Sequence, residues 1–111
     1  MKATQGDVWW GPAPHKSDPA YRPWLVVSDD AHPFASEECI VVGMTTQGHA
    51  DGIKVSNEAW VRGGSEQEAY ISPWYVTTIK HQDTENRQGE LAERLVVEAI
   101  EALHRYTPIR S

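Results

Sequence analysis

The sequence of 111 residues has one cysteine, Cys39, and fewer basic than acidic residues. One cysteine excludes a disulfide framework within the chain and argues against a zinc site built from cysteines. The five histidines are scattered and match no metal-ligand spacing, so we expect neither a metal nor a cofactor. The His-Glu-x-x-His, Gly-x-Ser-x-Gly and glycine-rich phosphate-loop patterns are missing too, which argues against the common hydrolase and nucleotide sites.

Long hydrophobic runs are also missing. The longest apolar stretches cover residues 24–27 and 39–44, which is too short to cross a bilayer. The first ten residues have one lysine and no apolar run of signal-peptide length. We therefore predict a soluble, cytoplasmic protein without a membrane partner. A domain of this size has a small core, so we also expect a homodimer.

Positive charge is scarce but unevenly distributed. Ten Lys and Arg against sixteen Asp and Glu give a net charge of −6, which argues against nucleic-acid binding through bulk charge. Residues 1–27 have three basic and two acidic side chains, whereas residues 28–80 have three and eight. The beginning of the chain is therefore the region that best tolerates an anionic ligand.

Hydrophobic residues make up 40% of the chain, enough to form the core of one domain spanning residues 1–111. Aromatic and β-branched runs predict short strands, of which residues 24–28 and 39–44 are apolar throughout and should be buried. From about 91 to 106, apolar residues recur every three or four positions, which predicts an amphipathic helix. We predict a mainly β (α+β) fold, with an antiparallel barrel of five to six short strands and one C-terminal helix.

Two groups of polar residues lie at the ends of the apolar strands. Arg22 joins a proline-rich loop to the first strand, where it either forms a surface ion pair or binds an anion such as phosphate. Thr45, Thr46 and Gln47 end the second strand, where they either cap it or present hydroxyl and amide groups to a ligand. Sequence alone leaves both alternatives open.

The order of these segments resembles the MazF/PemK family, the toxins of toxin–antitoxin pairs. The resemblance rests on GDV at residues 6–8, a proline-rich loop, RPWLVVS at 22–28, IVVGMTTQ at 40–47, and a glycine before the last helix. It implies an SH3-like β-barrel and a homodimeric endoribonuclease that cleaves single-stranded mRNA without a metal. It also implies a cognate antitoxin with an acidic disordered tail as partner.

The same resemblance assigns two catalytic residues. Arg22 would stabilise charge on the phosphate, and Thr45 would position the phosphate or the 2′-hydroxyl. The RNA would contact the remaining candidate residues, which are His15, Lys16, Thr46, Gln47 and Trp74.

The sequence departs from the family pattern at two places. Many members have an acidic pattern in a late strand, but residues 72–76 read SPWYV and have no carboxylate. The first loop is shorter than usual and contains His15, which is either a general base or a solvated side chain. Trp74 either stacks on an RNA base or is buried. These departures keep an alternative open, in which a module of the same fold acts without catalysis, by contact with a protein such as a topoisomerase.

Overall fold

The computed structural model describes residues 3–13 and 20–110, and in this part of the chain seven strands form one antiparallel sheet. The sheet curls into a nearly closed barrel with the strand order β4-β6-β3-β2-β1-β7-β5. The strands are Asp7–Pro12 (β1), Tyr21–Val26 (β2), Glu38–Thr45 (β3), Ile53–Val55 (β4), Trp60–Gly63 (β5), Ala69–Lys80 (β6) and Arg87–Leu91 (β7). One α-helix, Glu93–Tyr106 (α1), follows, and short 3-10 turns cover Asn57–Ala59 and His81–Asp83. The predicted fold class is confirmed.

The structure has seven strands and not the predicted five to six, because two predicted segments form one strand and two further strands were not predicted. Residues 69–71 and 74–79 belong to one strand, β6, which continues through Pro73 with a shift in register. Strands β5 and β7 have no apolar pattern in the sequence, because most of their side chains are polar or exposed. They form because their backbone groups pair with each other and with β1, which needs no apolar side chain. The helix begins at Glu93 because Leu91 still pairs in β7.

Apolar side chains pack on both faces of the sheet. Alternate residues of β1, β2 and β3 point to opposite faces, as the pleat requires. The larger cluster joins the sheet to α1 through buried Leu95, Val96, Ala99 and Ala102. The smaller cluster lies on the other face and contains Ala3, Trp9, Trp24, Val26, Cys39, Val41 and Ile79, with Tyr75 packed against it. None of the described helices is long and apolar enough to span a membrane.

The Gly-Asp pair at the start of β1 stabilises the junction of β1 with β7. Gly6 has φ +96°, a backbone conformation that favours glycine. Asp7 is 4% exposed and accepts hydrogen bonds from the Thr4 backbone N–H (3.0 Å), the Trp9 Nε1–H (3.2 Å) and Arg87 Nη2 (2.9 Å). The carboxylate therefore links the N-terminal turn and β1 to β7 through a charge-assisted hydrogen bond.

We predict that Asp7→Ala lowers the free energy of unfolding by about 3 kcal/mol, because it leaves the Thr4 and Trp9 donors without an acceptor. The urea midpoint at constant m-value measures this loss. Glu98→Ala, which removes an exposed carboxylate from α1, is the matched control and should change the midpoint little. Equal midpoints for the two variants would contradict the role given to Asp7.

We also predict an unreactive thiol at Cys39, which is 3% exposed. Burial, with smaller contributions from the Glu38 and Asp7 carboxylates, raises the pKa of Cys39 from 9.0 to about 11. Only the thiolate reacts, so at pH 8 the native thiol should react with a disulfide reagent about a hundredfold more slowly than in urea. The folded state has the higher pKa. This contribution to stability is therefore intact below pH 9 and is lost as the pH rises toward 11. Equal rates in the native and unfolded chain would contradict this prediction.

Candidate functional site

A cleft of about 240 Å³ opens where β2 begins and β3 ends. It brings together Arg22, Thr45 and Thr46, three of the residues that the sequence indicated. The rest of its lining is Trp10, Tyr21, Pro23, Met44, Ser65, Ala69 and Gln88. A larger open cavity of about 650 Å³, beside Phe34, Lys80 and His81, contains none of the candidate residues. We therefore take the smaller cleft as the candidate site.

Strand pairing explains why Arg22 and Thr45 meet. Strands β2 and β3 are antiparallel, and Trp24 pairs with Gly43. Arg22 lies two residues before Trp24, and Thr45 lies two residues after Gly43. Continuing the register therefore places them opposite each other. Side chains two residues apart point to the same face, so both leave the sheet on the side of Trp24.

The guanidinium of Arg22 packs against aromatic rings. Its Cζ lies 4.7 Å from the centroid of the Tyr75 ring and 5.8 Å from that of Trp24, both within the range of cation–π attraction. Its Nε is buried and makes no hydrogen bond. Among the described residues Arg22 takes part in no ion pair, since the arginines in salt bridges there are Arg62 and Arg87. No carboxylate among the residues that the structure describes therefore neutralises the charge of Arg22.

Gly43 leaves the space that this arrangement needs. A Cβ on Gly43 would lie 3.1 Å from Arg22 Nη1 and 3.0 Å from Tyr75 Cδ2, closer than such contacts normally are. Tyr75 reaches this position through a bulge in β6. Val42 pairs with Val76 and Gly43 with Ser72, so residues 73–75 form the bulge between these two register positions. Bulges re-aim side chains in this way, and Pro73 has no N–H to donate to the ladder.

Thr45 stands on the other side of the cleft with its hydroxyl in a local turn. The Gln47 backbone N–H donates to Thr45 Oγ1 at 3.1 Å. The Thr45 hydroxyl can still donate its hydrogen to a ligand, because a hydroxyl can accept and donate at once. Thr46 and Gln47 are exposed, and Thr46 lines the cleft whereas Gln47 does not.

The cleft is locally positive although the protein is acidic. Arg22 is the one charged side chain among its described lining residues. Tyr21 borders the opening and is 48% exposed. A hydrogen bond to Glu85, together with the negative charge of that carboxylate, raises the pKa of Tyr21, so the phenol stays neutral at pH 7. Such a site favours an anion, and its neutral donors supply further hydrogen bonds.

The structure places Trp74 away from this cleft. Its ring is 42% exposed and lies 5.1 Å from the His49 ring and 6.1 Å from the Tyr106 ring, between centroids. His15 and Lys16 lie outside the described residues. In the part of the chain that is described, no group of three His, Cys, Asp or Glu side chains could hold a metal ion.

Sequence reasoning missed Tyr75, Gly43 and Trp10. Tyr75 lies in the SPWYV segment, where the sequence pointed to a missing carboxylate and to Trp74 but not to the ring of Tyr75. Pro73 was the available signal, because a proline inside a strand indicates a bulge that can redirect its neighbours.

We predict that Thr45→Val loosens the turn after β3, because it removes the acceptor of the Gln47 N–H while keeping the shape of the side chain. The free energy of unfolding should fall by about 1 kcal/mol, and the Gln47 amide should exchange faster with solvent. Urea unfolding and amide hydrogen exchange measure the two effects. Thr45→Ser keeps the hydroxyl and serves as control. Equal exchange in the two variants would show that the hydroxyl does not hold the turn.

Comparisons with known proteins agree with the fold. The sequence pattern of the PemK-like, MazF-like toxins of type II toxin-antitoxin systems matches residues 4–107. Comparison with curated proteins gives no match. A MazE-MazF structure from Deinococcus radiodurans superposes with a TM-score of 0.77 at 12% identity and covers 99% of this chain and 100% of that chain.

Two mycobacterial structures superpose almost as well. The Mycobacterium tuberculosis toxin MazF-mt6 gives a TM-score of 0.69 at 18% identity and covers 95% of this chain and 99% of that chain. An endoribonuclease in complex with its cognate antitoxin, from a mycobacterial species, gives 0.69 at 18% identity and covers 98% of each chain. At these identities the superpositions show a shared fold, and the match over residues 4–107 shows the family. The chain belongs to the PemK-like, MazF-like toxins of type II toxin–antitoxin systems.

Proposed function

We propose that this toxin is an endoribonuclease that cleaves single-stranded RNA without a metal, with Arg22 and Thr45 as its catalytic residues. The observation that carries the proposal is the Arg22 guanidinium, which pairs with no described carboxylate and lies opposite Thr45 in a cleft where it is the one charged described side chain. Solved structures of the same fold include a protein described as an endoribonuclease.

The proposed reaction uses the RNA as its own nucleophile. The 2′-hydroxyl oxygen attacks the adjacent phosphorus, and the bond from phosphorus to the 5′-oxygen breaks. The products are a 2′,3′-cyclic phosphate and a 5′-hydroxyl end, and one proton passes from the 2′-oxygen to the leaving oxygen. Negative charge grows on the non-bridging oxygens, where donors fixed in place have their largest effect. This route needs no activated water, so metal ions have no necessary task in it.

The two residues have different tasks in this reaction. Arg22 donates hydrogen bonds from its cation to the phosphoryl oxygens. It stays protonated, because guanidinium does not give up a proton in proteins, so it stabilises charge and does not act as the acid. Thr45 donates its hydroxyl hydrogen to the phosphate or orients the 2′-hydroxyl for attack.

Single-stranded RNA fits this site better than a duplex does. Attack by the 2′-oxygen requires alignment with the leaving oxygen, and a free strand can rotate into that geometry while an A-form helix is held out of it. Thr46 lines the cleft and contacts the strand in this proposal. His15 and Lys16 precede Arg22 in the sequence by seven and six residues. His15 is therefore the candidate for the general base, and Lys16 is the candidate for a further phosphate contact.

The proposed partners follow from the same site. We propose a homodimer and an antitoxin with an acidic disordered tail that competes with RNA for Arg22. Solved structures of this fold are described as MazE-MazF and as an endoribonuclease with its cognate antitoxin. A carboxylate-rich segment matches a cleft whose one charged described side chain is a cation.

Cleavage of a single-stranded RNA oligonucleotide in EDTA tests the function. We expect Arg22→Gln to lower the cleavage rate about a hundredfold to a thousandfold, because a donor to the transition state is lost. Thr45→Val should lower it by a smaller factor. Arg94→Gln, which removes an exposed arginine from α1, is the matched control and should cleave like the wild type.

A second substrate sharpens this test. An oligonucleotide with 2′-deoxyribose at the cleaved nucleotide should stay intact, because it lacks the nucleophile. Cleavage of that substrate, or full activity of Arg22→Gln, would contradict the mechanism.

One observation keeps the non-catalytic alternative in view. The described lining of the cleft contains no carboxylate and no imidazole that could accept the 2′-hydroxyl proton. If the double variant Arg22→Gln, Thr45→Val still inhibits growth on expression, the toxin acts by contact with a protein partner such as a topoisomerase. If growth recovers, catalysis is the source of toxicity.

A further inference from the structure

The described arginines of the barrel are held in two different ways. Arg87 donates to the carboxylates of Asp7 (2.9 Å) and Glu90 (3.3 Å), and Arg62 lies 3.5 Å from Glu90. Those carboxylates orient the cation but also cancel its charge. Arg22 is oriented by aromatic rings instead, and no described carboxylate cancels its charge.

The ring beside Arg22 is itself fixed by packing. Tyr75 meets Trp24 edge to face, with 5.1 Å between the ring centroids and 74° between the planes. Trp24 is 1% exposed, and its Nε1–H donates to the carbonyls of Gly11 and Pro12. The position of the Tyr75 ring is therefore set by the core of the sheet. Because the Arg22 guanidinium packs on the face of this ring, the ring in turn fixes the guanidinium.

The Arg22 guanidinium is packed against protein on one side and borders the cleft on the other. Its Nε lies buried without a partner, and its Nη1 lies where a Cβ on Gly43 would touch it. Arg22 also lines the cleft that contains Thr45. Arg22 thus packs against the ring and close to Gly43 while it borders the cleft, where its N–H groups can donate to a ligand.

We propose that Tyr75 is the positioning residue for Arg22 in the reaction, and that its ring face takes the place of a carboxylate in orienting the guanidinium. The inference rests on the proposed function, because it concerns how Arg22 meets the scissile phosphate. An aromatic face attracts the cation without supplying a formal negative charge, so the phosphate meets an unneutralised guanidinium. The SPWYV segment, which lacks a carboxylate, supplies this face through its bulge.

The kinetic test compares three variants on one single-stranded RNA oligonucleotide. Tyr75→Leu removes the ring face and should lower kcat about tenfold to a hundredfold, while KM changes less than about threefold. Tyr75→Phe keeps the face and should retain kcat within about threefold. Tyr106→Leu removes an exposed tyrosine from α1 and should behave like the wild type.

Two outcomes of this comparison would overturn the proposal. If Tyr75→Leu keeps the wild-type kcat, the ring does not position Arg22. If Tyr75→Phe loses as much as Tyr75→Leu, the hydroxyl group and not the ring face is responsible.

A second variant guards against loss of folding. Gly43→Ala keeps the ring but places a methyl group between it and Arg22, so it should also lower kcat with little change in KM. Urea midpoints of all variants show whether they fold. If Tyr75→Leu fails to fold, a wild-type kcat in folded Gly43→Ala overturns the proposal, and a lowered kcat supports it.

Nuclear magnetic resonance separates this inference from the proposed function. The Arg22 Nε–H proton lies beside two rings and is buried, so it should show a ring-current shift and slow exchange. Both features should weaken in Tyr75→Leu, which leaves only the Trp24 ring, and persist in Tyr75→Phe. If the wild type cleaves no RNA, the proposed function fails whatever this signal does. If the wild type cleaves RNA and the signal is the same in Tyr75→Leu, the inference alone fails.

Discussion

The pairing of β2 with β3 around Trp24 and Gly43 is the constraint on which the site depends. It sets Arg22 and Thr45 at the same end of neighbouring strands and on the same face of the sheet. Because Gly43 has no side chain, it also leaves the space in which the guanidinium and the Tyr75 ring meet. A one-residue slip of this register would move Arg22 to the other face and separate the site residues.

The acidic composition of the protein and an anion-binding site are compatible because the two act over different distances. A net charge of −6 acts on the molecule as a whole and is screened by salt beyond about 10 Å. In the cleft a phosphate would meet one cation at contact distance, in a region whose described lining contains no acidic side chain. Local arrangement therefore decides affinity for the phosphate, and bulk charge affects mainly the rate of encounter.

Two arginines show how one residue type can serve stability or, in the role proposed for Arg22, catalysis. Arg87 ties β7 to β1 by bonding to the buried carboxylate of Asp7, which makes the Gly-Asp pair of β1 a structural feature. Arg22 is the second residue of β2, where its guanidinium packs against aromatic rings and pairs with no described carboxylate. Residue type alone does not distinguish these two roles, since both arginines lie in or beside strands.

The sequence by itself determined the fold class, the buried strands β2 and β3, the amphipathic helix, and the pair of strand ends that carry Arg22 and Thr45. These follow from hydrophobic periodicity and strand propensity, which depend on neighbours along the chain. It did not reveal β5 and β7, whose polar residues pair through the backbone, nor the continuity of β6 through Pro73. Only the tertiary structure decided that Tyr75 faces Arg22 while Trp74 lies against His49 and Tyr106. The physical reason is that a bulge redirects adjacent side chains, and its effect depends on a partner strand about thirty residues away in sequence.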